Sequence, residues 1–527
     1  MGPSAVTRET VTTAAMRAFG RSRLLRRVLI VAALAPILLV LFYTEENHRG
    51  LKVWERCRAR LVSKGILLDW HALAPPKVAD DENFATTPFF TPLFDFVPGT
   101  YTPRDLNAYN LVAGFAQTEE PYAAARRSTE LVPAMSLGNR INLADVLRQV
   151  RKSRRPDTKS ATPSAVQNAD DRRETAVELL QALEQFRPVL DELQTSSARP
   201  QARFNLNYAE ENSWGVAQPH LPVLERVSRV LAWRGSAELA LERAAPAAED
   251  VALILDLAST LRAEPFQSSF FTRNALLDNA SQIIWEGLAD HQWSKSQLSD
   301  FQTRLQRITL RDIQAQVQLN RVNGNGVFEL VHKQPEIVKG WSFGPSLADK
   351  VRGFLIRNMP AGWMYLEQAE YQRRFDEYVL PAFDLEAGRV RPQKLANASH
   401  SALPLWHHRL LADLVLNSAR YLCSGAAFAQ TRVSQAIVAC ALENYRLANG
   451  QFPAALDELG SQGMPSPPLD VISGEPMKYR RTTDGRFVLY SVGWNEKDDG
   501  GKTALDPRTK APDSEQGDWV WPAYPKQ

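Results

Sequence analysis

The sequence predicts a mainly α protein with a small C-terminal α+β module. One N-terminal transmembrane helix precedes a helical array, and a long helix then packs on a sheet of about three antiparallel strands. Three observations carry this reading. Val28 to Tyr43 (VLIVAALAPILLVLFY) is an uncharged, almost wholly apolar run. From residue 174 to about 322, apolar residues recur at helical spacing. Near the end, Gly474 to Tyr479 and Phe487 to Gly493 are short β-type segments divided by glycine turns.

At 527 residues the chain exceeds one hydrophobic core and predicts two or three domains. Hydrophobic residues make up 44% and charged residues 23%, which is ordinary globular composition. A net charge of +3 gives no basic footprint, so nucleic acid is not an expected partner. Cys57, Cys423 and Cys440 provide no disulfide framework. The last two fall in one predicted helix, roughly 25 Å apart, beyond disulfide reach.

Residues 1–27 read as a cytoplasmic basic tail, with Arg8, Arg17, Arg21, Arg23, Arg26 and Arg27 against Glu9 alone. Residues 28–43 read as the transmembrane helix. Sixteen residues rise about 24 Å, slightly short of a ~30 Å hydrocarbon core, and Leu24 and Leu25 extend the run if Arg26 and Arg27 snorkel. Glu45 and Glu46 open the far flank. The positive-inside bias therefore places the N-terminus in the cytoplasm and the bulk of the chain outside. A cleaved signal peptide fits less well, because no small-x-small site follows the apolar run.

Residues 44–150 read as an aromatic, proline-rich arm with short helices, one of them stopped at Lys64-Gly65. Phe84, Phe89, Phe90, Phe94 and Phe96 are punctuated by Pro88, Pro92 and Pro98, which excludes regular helix. Two roles stand open for these rings: burial on the main body, or a docking strip for a partner. Residues 151–173 are polar and charged, the composition of a linker or insertion. Residues 174–400 form the helical domain. Ser294 to Gln297 is a capping box, Val251 to Leu261 a helix stopped before Pro265, and residues 323–347 an irregular stretch. Residues 401–527 hold the last long helix, Leu405 to Leu447, and the β module.

Gly340-Trp341-Ser342-Phe343-Gly344 matches the G-x-S-x-G nucleophile elbow, with Asp384 or Asp413 and His400, His407 or His408 as nominal triad partners. The elbow requires a strand before it, a helix after it and a parallel sheet around it, and the surroundings read as helical. The eight histidines show no metal spacing, and no phosphate loop or dinucleotide fingerprint is present.

Residues 430–521 order a helix ending Ala441 to Gly450, the sequence Gln451-Phe452-Pro453, the β segments, and the acidic turn Asn495 to Gly501. This order resembles the soluble domain of the major pseudopilins of type II secretion systems. The rest of the chain resembles membrane-anchored bacterial proteins with no assigned activity. These resemblances imply a bacterial inner membrane with the bulk of the chain in the periplasm. The pseudopilin resemblance implies a calcium ion in the acidic turn, held by oxygens of Asn495, Asp498, Asp499 and Asp506, with Asp518 preceding the closing Trp519. Asn495 replaces the family's usual aspartate. Gly20-Arg21-Ser22 also lacks the Phe-x-x-x-Glu start of a processed pilin. The expected function is thus a non-catalytic, single-pass envelope protein of scaffold or assembly type, linked to secretion or pilus-like systems, with envelope proteins as partners. A serine hydrolase using Ser342 and a helical periplasmic binding platform are the alternatives.

Overall fold

The computed structural model describes residues 7–97, 99–100, 102–116, 138–154, 168–341, 346–396, 409–462, 464, 466–507 and 512–522. In chain order the principal helices are α1 (Thr7–Ser63), α2 (Leu106–Ala116), α3 (Leu143–Arg154), α4 (Ala169–Leu183), α5 (Arg187–Ser196), α6 (His220–Ala240) and α7 (Ala244–Thr260). They continue with α8 (Gln267–Ala289), α9 (Lys295–Gln306), α10 (Gln314–Lys333), α11 (Leu347–Asn358), α12 (Ala361–Arg374) and α13 (Ala412–Asn449). The strands are β1 (Phe383–Asp384), β2 (Arg389–Val390), β3 (Lys478–Arg481), β4 (Phe487–Ser491), β5 (Thr503–Leu505), β6 (Pro512–Gly517) and β7 (Trp519–Val520). The mainly helical reading holds, as does the small antiparallel C-terminal sheet.

The chain forms two compact units, each assembled from three stretches. One gathers Met1–Ile66, Asn325–Arg373 and Ser401–Val415; the other gathers Leu67–Gly324, Arg374–His400 and Leu416–Gln527. Their borders differ from the contiguous blocks read from composition, because composition registers local patterning and is blind to long-range pairing.

In the first unit α1 is the dominant element. The run 28–43 is not a separate short helix but the middle of a helix of 57 residues. Residues 44–63, expected in the arm, continue it, and it stops before Gly65, whose φ of 70° is the left-handed turn that the sequence marked. Among the described residues no helix is long and apolar enough to cross a membrane, the side chains at 28, 29, 32 and 33 lying outside that set. The stretch Asn323 to Gly326, expected to be irregular, lies inside α10. Asn325 explains why: its buried amide accepts from Gln368 Nε2 (3.0 Å) and Gln372 Nε2 (3.3 Å) and donates to Glu329 Oε1 (2.8 Å). A polar residue so engaged holds helix against its own loop preference.

In the second unit α6, α7 and α8 pack on one another and define the core. Leu276, Ala280, Ile283 and Ile284 of α8 are buried, as their helical spacing predicts. The Ser294 capping box forms as read. The aromatic segment settles onto this unit's own core: Phe84, Phe89 and Phe90 are buried, with Phe90 edge-on to Phe204 at 5.4 Å. Asn83 locks the segment in place, its amide bonding both N–H (2.8 Å) and carbonyl (3.0 Å) of Arg203. The expected linker is shorter than its composition suggested. Arg151 to Arg154 end α3, and Ala169 to Arg173 open α4 behind the Asn168 cap; residues 155–167 lie outside the described set.

Helix α13 begins later than expected and lies against the sheet ordered β3-β4-β7, in which both pairings are antiparallel. Gln435 Nε2 donates to the Trp519 carbonyl at 2.6 Å, and Phe428 meets the Trp519 ring edge-on at 5.2 Å. Glu443 of α13 is fully buried, with Arg446 at 2.7 and 2.9 Å and His291 Nδ1 at 3.0 Å. Burial would raise its carboxyl, but the hydrogen bonds from Arg446 and His291 outweigh it and hold the group below its ordinary range. A carboxylate with a depressed folded pKa stabilises fully above its unfolded pKa and loses that contribution as pH falls through the folded value. Glu443→Gln is therefore expected to destabilise by about 1.5–3 kcal/mol at neutral pH. The difference from wild type should shrink below about pH 4.5. Parallel denaturant titrations across that window check it; a pH-independent difference would be the wrong result.

Candidate functional site

The surface with the clearest chemistry lies on α1. Ile30, Val31, Leu34 and the six consecutive residues Ile37 to Phe42 are each 46–65% exposed. Six consecutive residues at 100° per step cover every side of a helix, so this belt is apolar all round and presents no polar face to water. Among the described residues the belt is part of no buried core.

The belt ends in a polar collar within the same unit. The Tyr43 hydroxyl donates to the Asn358 carbonyl at 2.8 Å, and the Phe42 ring meets Trp363 edge-on at 6.3 Å. Trp363 Nε1 donates to Glu46 Oε2 at 2.7 Å, while Asn47 Oδ1 accepts from the Gly362 N–H at 2.7 Å. One turn further into α12, buried Glu367 accepts the backbone N–H groups of Leu410, Leu411 and Ala412 at 2.7, 3.0 and 2.9 Å. A carboxylate at that position complements the N-terminal dipole of α13, although burial pushes its carboxyl up to about 7. Glu367 carries no local signal in the sequence, since its partners lie some forty residues away.

Beyond the collar, α1 and α12 border a cleft of about 480 Å³ that includes Arg56, Cys57, Arg60, Glu370 and Arg373. Arg60 Nη2 lies 3.9 Å from the Cys57 sulfur. Glu370 is engaged by Arg373 at 2.8 Å and Arg409 at 3.0 Å, so the cleft's acid is already neutralised. In the second unit a cleft of about 560 Å³ is bordered by Pro75, Pro76, Gln201, Arg262 and Asp312. Asp312 is held there by Arg262 (2.8 Å) and Arg273 (2.6 Å).

The nucleophile-elbow motif finds little of its required setting. The residues before it, Pro335–Gly340, form a 3-10 helix in place of a strand, and the described strands pair antiparallel. Ser342, Phe343, Gly344, His400, His407 and His408 lie outside the described residues. Asp384 sits in β1 with its carboxylate bound to Arg391 at 2.7 Å, and Asp413 is in the first turn of α13.

A second grouping, unmarked in the sequence, is Ser269, Glu264 and His220. Ser269 Oγ donates to Glu264 Oε2 at 2.5 Å, and Glu264 Oε1 lies 2.9 Å from His220 Nε2. Here the carboxylate stands between the hydroxyl and the imidazole, so the base cannot reach the hydroxyl proton. All three are buried, and Phe204 stacks on the imidazole at 4.0 Å. Its chemistry is that of a sealed polar anchor.

The acidic C-terminal turn is organised differently from a cation loop. Asp518 is buried and accepts the N–H groups of Asp499 (3.2 Å), Gly501 (2.6 Å) and Lys502 (3.3 Å). Asp498 takes the N–H of Gly500 and the hydroxyl of Tyr490, both at 3.0 Å, which together hold its carboxyl below its ordinary range. Asn495 Nδ2 donates to Asp499 Oδ2 at 3.1 Å, and its own oxygen accepts from Lys497 N at 3.1 Å. Asp506 follows β5. Among the described residues no three histidines, cysteines or carboxylates are grouped to hold a metal ion. Of the expected set Asn495, Asp498, Asp499 and Asp506, the first three are engaged by backbone N–H groups and neighbouring side chains within the turn.

Comparison with protein-family models, with curated proteins and with solved structures found no match.

Proposed function

We propose that this chain is a single-pass membrane-anchored protein of the bacterial cell envelope, with α1 as its anchor and its two folded units outside the inner membrane. Its role is that of a non-catalytic scaffold or assembly factor. The observation that carries the proposal is the belt from Ile30 to Phe42, exposed and apolar on every side of α1. Leaving it in water would forgo about 25 cal/mol for each Å² of apolar surface removed from solvent, so lipid is its natural surroundings. The arginines before Val28 and the glutamates after Tyr43 favour a cytoplasmic N-terminus. The collar of Tyr43 and Trp363 supplies the amphipathic rings that suit the headgroup level. The pairing of α13 with a small antiparallel sheet supports the resemblance to pseudopilin soluble domains, and with it a place beside secretion or pilus-like assemblies.

Membrane fractionation followed by alkaline carbonate extraction tests the anchor. Wild-type protein should remain in the pellet. The double variant Leu34→Arg/Leu38→Arg, which adds about 2.5–3.5 kcal/mol to insertion for each arginine at a helix centre, should shift to the supernatant. Quantitative extraction of the wild type would overturn the reading.

A further inference from the structure

Helix α11 is built inside out for a helix on a water-soluble surface. At 100° per residue, Leu347, Val351 and Phe354 fall within an arc of about 60°, and they are 78%, 49% and 64% exposed. The opposite side carries Gly353 and Ile356, both buried. Helices of soluble units place charged residues opposite the buried side; here the outer side is apolar and Lys350 flanks it, exposed.

The position of this stripe identifies what covers it. Asn358 ends α11, and its carbonyl accepts the Tyr43 hydroxyl at 2.8 Å, at the residue where the belt on α1 stops. Asn358 Nδ2 in turn donates to the Phe354 carbonyl at 2.7 Å. The stripe therefore starts one helical turn from the edge of the anchor. Arg357 fixes the preceding turn to this helix, donating to the Val338 carbonyl at 3.2 Å and the Trp341 carbonyl at 3.1 Å, and so presents the half-buried Trp341 beside it.

We infer that α11 is an interfacial helix, seated on the outer leaflet of the bilayer that α1 enters. Leu347, Val351 and Phe354 enter the boundary between headgroups and acyl chains, and Lys350 reaches anionic headgroups. An amphipathic helix with an apolar side and a basic flank lies in the membrane plane with its apolar side buried about 5–10 Å. A second attachment beside a single spanning helix fixes the tilt and rotation of the unit that carries it, which a lone anchor leaves free. The inference rests on the membrane reading of α1, and its test separates the two.

Full-length protein is reconstituted in vesicles of phosphatidylethanolamine and phosphatidylglycerol, with a single environment-sensitive fluorophore attached to Val351→Cys, Phe354→Cys or the exposed control Glu55→Cys. The native Cys57, Cys423 and Cys440 are buried, and wild-type protein labelled in parallel sets the background. Positions 351 and 354 should be blue-shifted and quenched several-fold more strongly than position 55 by a lipid carrying a shallow nitroxide. Emission at 351 and 354 equal to that at 55, in protein that resists carbonate extraction, would overturn the interfacial helix and leave the anchor standing. Failure of the protein to remain in vesicles at all would remove the anchor and this inference with it. A blue shift in native membranes that vanishes in protein-free lipid would assign the stripe to a protein partner and overturn it too.

Discussion

Alanine at Gly50 or Gly362 is expected to unseat α12 from α1. A Cβ at Gly50 would stand 2.0 Å from the Gly362 carbonyl oxygen and 2.7 Å from its Cα; a Cβ at Gly362 would stand 2.0 Å from the Glu46 carbonyl oxygen and 2.5 Å from the Asn47 Cα. Each of these atoms is backbone, so no side chain can rotate away. Relief requires the two helices to separate, and separation breaks the bonds from Gly362 N to Asn47 and from Trp363 to Glu46. Overpacking commonly destabilises by about 1–3 kcal/mol, and this backbone crossing belongs at or above the upper end. The sign is what makes the test discriminating. Alanine is the better helix former by about 0.8–1.0 kcal/mol, so propensity alone predicts that Gly50→Ala stabilises. Gly114 in α2, where a Cβ meets nothing within 4 Å, is the control in which that stabilisation should be observed. Amide exchange across 361–374 in Gly362→Ala is the measurement. Protection equal to wild type would sink the proposed crossing.

What the sequence made legible follows the range of the forces involved. The periodic stripe of α8, the capping box at Ser294 and the stop at Gly65 are set by residues within one or two turns of one another, and each forms where the sequence places it. The turn of aromatic residues onto the second unit's core was open in sequence, because Phe90 meets Phe204 across more than a hundred residues. Asn323 to Gly326 carried every local mark of a loop. Helix prevails there because Gln368 and Gln372 reach Asn325 from α12. In the acidic turn the composition suits a cation, while the hydrogen bonding is set by pairings across the turn: three backbone N–H groups converge on Asp518 and give that carboxylate a structural task. The contacts that assemble the collar at Tyr43, Asn47, Gly362 and Trp363 are not legible in sequence, because they join residues more than three hundred positions apart. Its members are ordinary residues until α12 is laid across α1.

The segment that composition reads as a polar linker also contributes the charged partner of Glu286, one of the second unit's buried carboxylates. Arg172, near the start of α4, donates through Nη2 to Glu286 Oε2 and to Ser236 Oγ, both at 2.8 Å, and through Nη1 to the Ile141 carbonyl at 2.6 Å. Glu286, buried in α8, accepts in addition from Ser236 Oγ (2.6 Å), Gln282 Nε2 (2.8 Å) and the Ile141 N–H (2.9 Å). Four donors on two oxygens leave the carboxylate fully satisfied. The arrangement ties the entry to α3, and helices α4, α6 and α8, through a single pair of charges. Burial lowers the Arg172 pKa from its very high ordinary value, with Glu286 opposing the shift. Glu286→Leu would strand that cation in the interior and is expected to destabilise by about 3–5 kcal/mol, the range for breaking a buried pair from one side. Arg172→Met should do the same by stranding the carboxylate. The double variant removes both charges and is expected to be much less destabilised than the sum of the single variants, because apolar replacement of a whole buried pair is often near neutral. A double-mutant cycle read by denaturant unfolding measures the difference. Additive single effects, or a loss below about 1 kcal/mol for either one, would mean that the pair is no more than surface chemistry and that packing alone joins these helices.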